Sequence, residues 1–326
     1  MPRQRRIEYE GGIYHVINRG NYRSDVFGTD GAKAALLRGL GETAEKLGWR
    51  VHAWVIMSNH YHVALETPGG NLVEGMKHWQ ATFGTRFNRM RDERGHIFQG
   101  RYKSLLVQSG ERLAALCHYI HLNPVRAGIC NVSELADWPW SSMNGLMAPK
   151  RRQPWFVAET ALSGAGALAD TKPGRRKYVQ YLSWLAETDE AQRELKFADM
   201  SKGWVIGSTE YKKEILAQRT ELLKNRSSAT SGLKSAQEDL WWTQVEELLA
   251  KLGKSAVDLE RDGKSEPWKV ALAAVLKSRT TVTNRWLSEH LHLGNLHEVS
   301  RKVNLWLRQP DRALSKKIKW TPNPKA

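Results

Sequence analysis

The stretch Met57-Ser58-Asn59-His60-Tyr61-His62-Val63-Ala64-Leu65-Glu66 joins a tight turn to a run of alternating side chains. In an extended strand successive side chains point to opposite faces, so His60 and His62 share one face and Tyr61 takes the other. Neutral imidazole is the commonest protein metal ligand, and two on one face can close on a single cation. The same spacing also suits two half-buried strand histidines with no ligand. Val51 to Met57 reads as the preceding strand, paired across Ser58-Asn59, so the stretch predicts a hairpin that presents both imidazoles.

Working outward, Gly12 to Asn18 alternates, carries β-branched residues and predicts a first strand with His15 on it. Thr29-Asp30 to Leu47 predicts an amphipathic helix capped by Asp30, with Leu36, Leu40, Ala44 and Leu47 among its apolar positions. Asn71 is placed to cap a helix to about Met90, whose apolar stripe is Leu72, Met76, Trp79, Phe83 and Phe87. Ile97 to Val107 reads as a further strand. Its Phe98, Arg101, Tyr102 and Lys103 mix stacking faces with cations, which suits single-stranded nucleic acid but is also common on strand edges. The order strand, helix, strand, strand, helix, strand, helix predicts an α+β fold, a ferredoxin-like (RRM-like) antiparallel sheet with helices on one face.

A second informative stretch is Cys117-His118-Tyr119-Ile120-His121-Leu122-Asn123-Pro124-Val125-Arg126, preceded by Glu111 to Leu116. The apolar spacing predicts a helix that Pro124 stops. Tyr119 and Asn123, four apart, lie on one helical face, so a phenol and an amide look toward one point. A core tyrosine beside an asparagine at a helix end is the plainer reading.

Five blocks in order resemble the HUH single-tyrosine transposases, the IS200-like and REP-associated tyrosine transposases. They are Gly12-Ile13-Tyr14-His15-Val16-Ile17-Asn18-Arg19-Gly20-Asn21; Trp54 through His62; Gly95-His96-Ile97-Phe98-Gln99-Gly100-Arg101-Tyr102-Lys103; Tyr119 through Gly128; and Trp138-Pro139-Trp140-Ser141-Ser142. The resemblance runs from residue 8 to about 145. It implies the same kind of fold, a DNA strand transfer through a 5'-phosphotyrosine with Tyr119 as nucleophile, and a divalent ion, Mg2+ or Mn2+, held by His60, His62 and Asn123. An oxygen donor from Asn123 suits those ions. A phenol is mostly protonated at neutral pH, and a neighbouring cation favours its attack as phenolate.

The implied substrate is single-stranded or hairpin DNA, with palindromic repeats one form of it, because a site on a sheet face needs an unpaired backbone. Candidate phosphate contacts are Arg19, Arg23, Arg101, Lys103 and Arg126, with His121 as a proton carrier; any of these is also readable as an ordinary surface group. Tyr61 departs from the aliphatic residue usual between the histidines and is a rival nucleophile to be tested. Members of the resembled family work as monomers or dimers, so a homodimer is one expectation.

The 50 Lys+Arg against 34 Asp+Glu give a formal charge of +16. Residues 1–150 hold 19 basic and 13 acidic groups (+6), and the remainder holds 31 and 21 (+10). Such an excess attracts polyanions, nucleic acid first, although it also serves solubility. Only Cys117 and Cys130 occur, and no apolar run suggests export or a membrane, so a cytoplasmic, nucleoid-associated protein is expected.

The organisation expected is a transposase-like domain over 1–147, a helical connector and linker over 148–235, and a helical region over 236–326. In the last, a helix over Thr281 to Leu291, a turn at His292-Leu293-Gly294 and a helix over Asn295 to Arg308 outline a helix-turn-helix. Its second helix would offer Asn295, His297, Ser300, Arg301, Lys302 and Asn304 to a duplex groove, although helix pairs of this shape also serve as plain packing. Two other functions stay open: a DNA-binding regulator without strand transfer, and a metal-dependent nuclease that uses water.

Overall fold

Thr29, not Asp30, caps the first helix: its Oγ1 accepts from the Ala32 N–H at 3.2 Å. In this computed structural model residues 7–216 and 241–321 are described. Residues 217–235 of the expected connector and linker lie outside them. The chain divides into two units, Met1–Arg219 and Thr220–Ala326.

The first unit is α+β. It begins β1 (Gly12–Arg19), α1 (Asp30–Leu47), β2 (Arg50–Ile56), β3 (His60–Thr67), α2 (Leu72–Arg91), β4 (Lys103–Val107) and α3 (Glu111–His121). The sheet order is β2-β3-β1-β4, antiparallel throughout, and a fifth strand, β5 (Val205–Ile206), pairs parallel to β4 at the edge. The sheet is therefore mixed rather than wholly antiparallel. Two residues are too few to show alternation, which is why β5 left no signal in the sequence.

Helices cover both faces of the sheet, not one. Tyr61 and His62 are successive residues of β3; the Tyr61 ring lies 4.8 Å from Trp79 of α2, while the His62 ring lies 5.8 Å from Tyr119 of α3. Alternation puts those two neighbours on opposite sides. Trp79 also ties α2 to α1 by donating Nε1–H to the Leu36 carbonyl at 2.8 Å. Buried Leu36, Leu40 and Ala44 of α1 and Met76, Trp79 and Phe83 of α2 fill this layer. The Leu, Met and Phe side chains among them each contribute roughly 1.5–3 kcal/mol when removed from water. Gly75 makes room for it: a Cβ there would lie 2.0 Å from the Trp49 ring.

The strand expected from Ile97 begins only at Lys103. Gly100, at φ +74°, breaks the extended path, and the residues before it pair elsewhere. Asn21 N–H donates to Ile97 O at 2.7 Å, Gln99 N–H donates to Arg19 O at 2.9 Å, and Gly20 bridges Phe98. Pro124 does not end the helical course after α3 either. It sits in the first turn of α4 (Asn123–Arg126), where a missing N–H is harmless.

Beyond residue 147 the chain keeps adding to the same core. After α5 (Ser142–Met147) come α6 (Glu159–Ser163), α7 (Lys172–Glu187) and α8 (Asp189–Glu194). Trp155, Phe156, Leu162, Tyr178 and Leu182 are buried in the hydrophobic cluster that contains the sheet. Val51 N–H donates to Trp155 O and Val157 N–H to Val51 O, both at 2.8 Å. The stretch 148–216, expected as a connector, is thus built into the first unit.

The second unit is helical, with a separate core that includes Leu272, Val275, Trp286, Leu287, Val299, Val303 and Trp306. A helix Asn284–His290, capped by Thr283, is followed by a turn with positive φ at His292 and Gly294 and then a helix Leu296–Arg308. Asn295 is spent as the cap of that last helix, accepting from Glu298 N–H at 2.9 Å, which removes it from the groups expected to face a groove. Among the described residues no helix is long and apolar enough to cross a membrane.

Candidate active site

The hairpin of β2 and β3 delivers His60 and His62 as expected, and β1 beside it completes the face. Arg19, Ile17 and His15 of β1 lie opposite His60, His62 and Ala64, so all share one side of the sheet. The His60 and His62 rings stand 5.2 Å apart, and α3 lowers Tyr119 onto them, 5.8 Å from His62 and 6.2 Å from His15. Asn123, on α4, brings its side chain next to His60. Two histidines of a hairpin and a phenol and an amide of a helical run thus meet at one place.

His60 Nδ1 is engaged by Asn59 Oδ1 at 2.7 Å, and His62 Nδ1 by His15 Nε2 at 2.9 Å. In both rings the nitrogen left over is Nε2. Burial holds both imidazoles neutral, pushing His60 down to about 4, with the Arg19 charge adding to the effect, and His62 well below its ordinary value. Neutral imidazole with the remote nitrogen held by a hydrogen bond is the arrangement that ligates metals. Two such nitrogens and the Asn123 oxygen make a donor set that fits a divalent ion. Among the described residues no three His, Cys, Asp or Glu side chains gather into such a group, so the third donor would have to be this amide.

The expected phosphate contacts separate. Arg126 sits at the site, its guanidinium 5.0 Å from the Tyr119 ring centre and 5.7 Å from that of Phe197. Arg19 sits across the strand from His60 and is exposed. Lys103 is tied to the Ser201 carbonyl at 2.7 Å, while Arg101 is exposed on the segment before β4. Arg23 is exposed, in a left-handed conformation beside the equally strained and 90 % exposed Tyr22. Arg301 and Lys302 belong to the second unit, where Lys302 donates to Ser265 Oγ at 2.9 Å.

His121 is a correction. It is fully buried with both ring nitrogens committed, Nδ1 with Tyr178 OH at 2.8 Å and Nε2 with Ser142 Oγ at 2.8 Å, so neither DNA nor a shuttled proton reaches it. The helical periodicity explains this, since two residues from Tyr119 is the far side of α3. Tyr61 is no rival nucleophile: it is fully buried on the other face, its hydroxyl accepts from Gln80 Nε2 at 2.7 Å, and burial raises its pKa.

Three participants escaped the sequence. His15 was read only as a strand residue, and its role needs the β1–β3 register. Phe197, edge-on to Tyr119 at 5.6 Å, and the Met200 carbonyl, 2.8 Å from His15 Nδ1, come from a segment with no motif at all.

Among solved structures, one described as a REP-associated tyrosine transposase bound to a REP hairpin is similar at 20% identity and a TM-score of 0.38, covering 49% of this chain and 93% of that chain. No curated protein matches the chain. Residues 8–123 match the family described as "Transposase IS200 like".

Proposed function

We propose that the protein is a DNA strand-transferase that cleaves and rejoins single-stranded or hairpin DNA through a 5'-phosphotyrosine at Tyr119. The observation that carries this reading is the placement of the Tyr119 ring against His62, on the same face of the sheet as His60 and beside Asn123. The Tyr119 oxygen would attack a backbone phosphorus, forming an O–P bond as the bond to the 3'-oxygen breaks. The phenol loses its proton to solvent and the departing 3'-oxygen gains one. A 3'-hydroxyl attacking the same phosphorus reverses the exchange and joins a strand, one phosphoester replacing another.

Held by His60, His62 and Asn123, a Mg2+ or Mn2+ ion would supply positive charge to the phosphate and the phenolate. Arg126 and Arg19 flank the site and suit the strand on either side of the scissile phosphate. The order β2-β3-β1-β4 with α1 and α2 on one face supports a ferredoxin-like core. In the second unit, the helix pair Asn284–His290 and Leu296–Arg308 supports a duplex-holding helix-turn-helix, with Arg301 exposed on the second helix. A homodimer and a nucleoid location accompany this reading.

The test is a labelled hairpin oligonucleotide incubated with the protein and Mn2+. A DNA–protein adduct that survives denaturation is expected. Cleavage without an adduct would point to a water-using nuclease, and tight binding without cleavage to a regulator; either outcome removes the strand-transfer reading.

A further inference from the structure

We propose that His15 is a positioning residue that fixes the tautomer of His62, and that the Met200 carbonyl fixes the tautomer of His15. For its consequence at the metal-facing nitrogen this deepens the strand-transferase reading and rests on it.

A carbonyl oxygen can only accept a hydrogen bond. Met200 O lies 2.8 Å from His15 Nδ1, so Nδ1 carries the proton. His15 is fully buried with its two ring nitrogens against a carbonyl and another imidazole, an environment that holds the ring neutral and leaves Nε2 with a bare lone pair. That lone pair is 2.9 Å from His62 Nδ1, which must therefore donate. In a neutral, buried His62 the one proton placed on Nδ1 leaves Nε2 bare, the form able to ligate a metal or accept a proton. The opposite tautomer of His62 would set two lone pairs against each other in a buried place. The His15 and His62 rings, 5.0 Å apart at 28°, are held in this register by β1 and β3.

His60 needs no such relay, because Asn59 next to it supplies an acceptor. For His62 the orienting chain begins 185 residues from His15, at Met200, beyond the stretch that matches the transposase family. The same segment puts Phe197 on Tyr119 and gives Lys103 its carbonyl partner at Ser201. The region after residue 147 therefore sets the chemistry of a family histidine from outside the family domain.

Long-range 1H–15N NMR on histidine-labelled full chain reports each tautomer without metal. His62 should be the Nδ1–H form. His15→Phe keeps the volume and removes the acceptor; it should mix the His62 tautomers and weaken Mn2+ binding, followed by electron paramagnetic resonance, about 10- to 100-fold. His15→Gln, which retains an acceptor of similar reach, should restore both, with hairpin DNA affinity unchanged throughout. An Nε2–H tautomer at His62 in the unaltered chain overturns the proposal, as does a His15→Phe protein with unchanged spectrum and Mn2+ affinity. Should His15→Phe fail to fold, the unaltered spectrum and His15→Gln still decide it. A His62 in the Nδ1–H form together with absence of any DNA adduct would uphold the relay and remove strand transfer.

Discussion

The two faces of β3 are made of alternate residues of one strand, yet their polar groups end differently. On the side of Tyr61 its hydroxyl is closed off by Gln80 and its ring is walled in by Trp79, Phe27 and Phe98. On the side of His60 and His62 only the Nδ1 atoms are closed off, and the rings face Tyr119, Asn123 and Arg126. A buried polar group that is fully satisfied is structure, whereas one left half-satisfied among other donors is available for chemistry. The lesson is that two tyrosines near one hairpin are sorted by what their neighbours leave unfinished, not by distance along the chain.

The sharpest way to break that comparison is to exchange the tyrosines' hydroxyls. Tyr119→Phe should abolish the covalent DNA adduct altogether while hairpin binding, measured by gel shift, persists; an adduct that survives would place the nucleophile elsewhere. On the closed face, Trp79→Ala empties a site that joins α1, α2 and Tyr61, and should lower unfolding free energy by about 3–5 kcal/mol in urea titration, with adduct formation per folded molecule retained.

Acidification should act on the open face and on the other buried histidines together. His15, His52, His60 and His118 are held down to about 4, His121 to about 3 and His62 well below its ordinary value, all chiefly by burial. Each therefore stabilises the fold above the unfolded value near 6.5 and loses that contribution as pH falls toward its folded value. The thermal midpoint should drop steadily from pH 7 to pH 5, and a flat profile would mean that these rings are not neutral and buried. Tyr61→Phe is the smallest effect: it strands the Gln80 amide, costs about 1–2 kcal/mol and leaves the adduct intact.

Much of this site was legible in sequence because local spacing carries it. A period of two fixes His60 and His62 on one face, and a period near four puts Tyr119 with Asn123. The same periodicity, applied to α3, would have put His121 on the side away from Tyr119. The faces of the sheet were misjudged for another reason. Apolar residues occur at both parities of β3, as Val63 and Leu65 against Ala64, so the strand itself does not say that α3 covers the second side. Nothing in the sequence around Val205 or Met200 marks β5 or the carbonyl that reaches His15, because backbone groups have no residue signature.

What the amino-acid sequence determined alone is the set of chemical groups and their local phase: a histidine pair on a strand, a tyrosine and an asparagine on a helical run, and a basic chain. Only the tertiary structure decided that these four meet, that Tyr61 and His121 stand apart, and that a downstream carbonyl orients His62 through His15. The reason is that spacing fixes direction within one element, whereas which elements face each other depends on burying apolar surface contributed from the whole first unit.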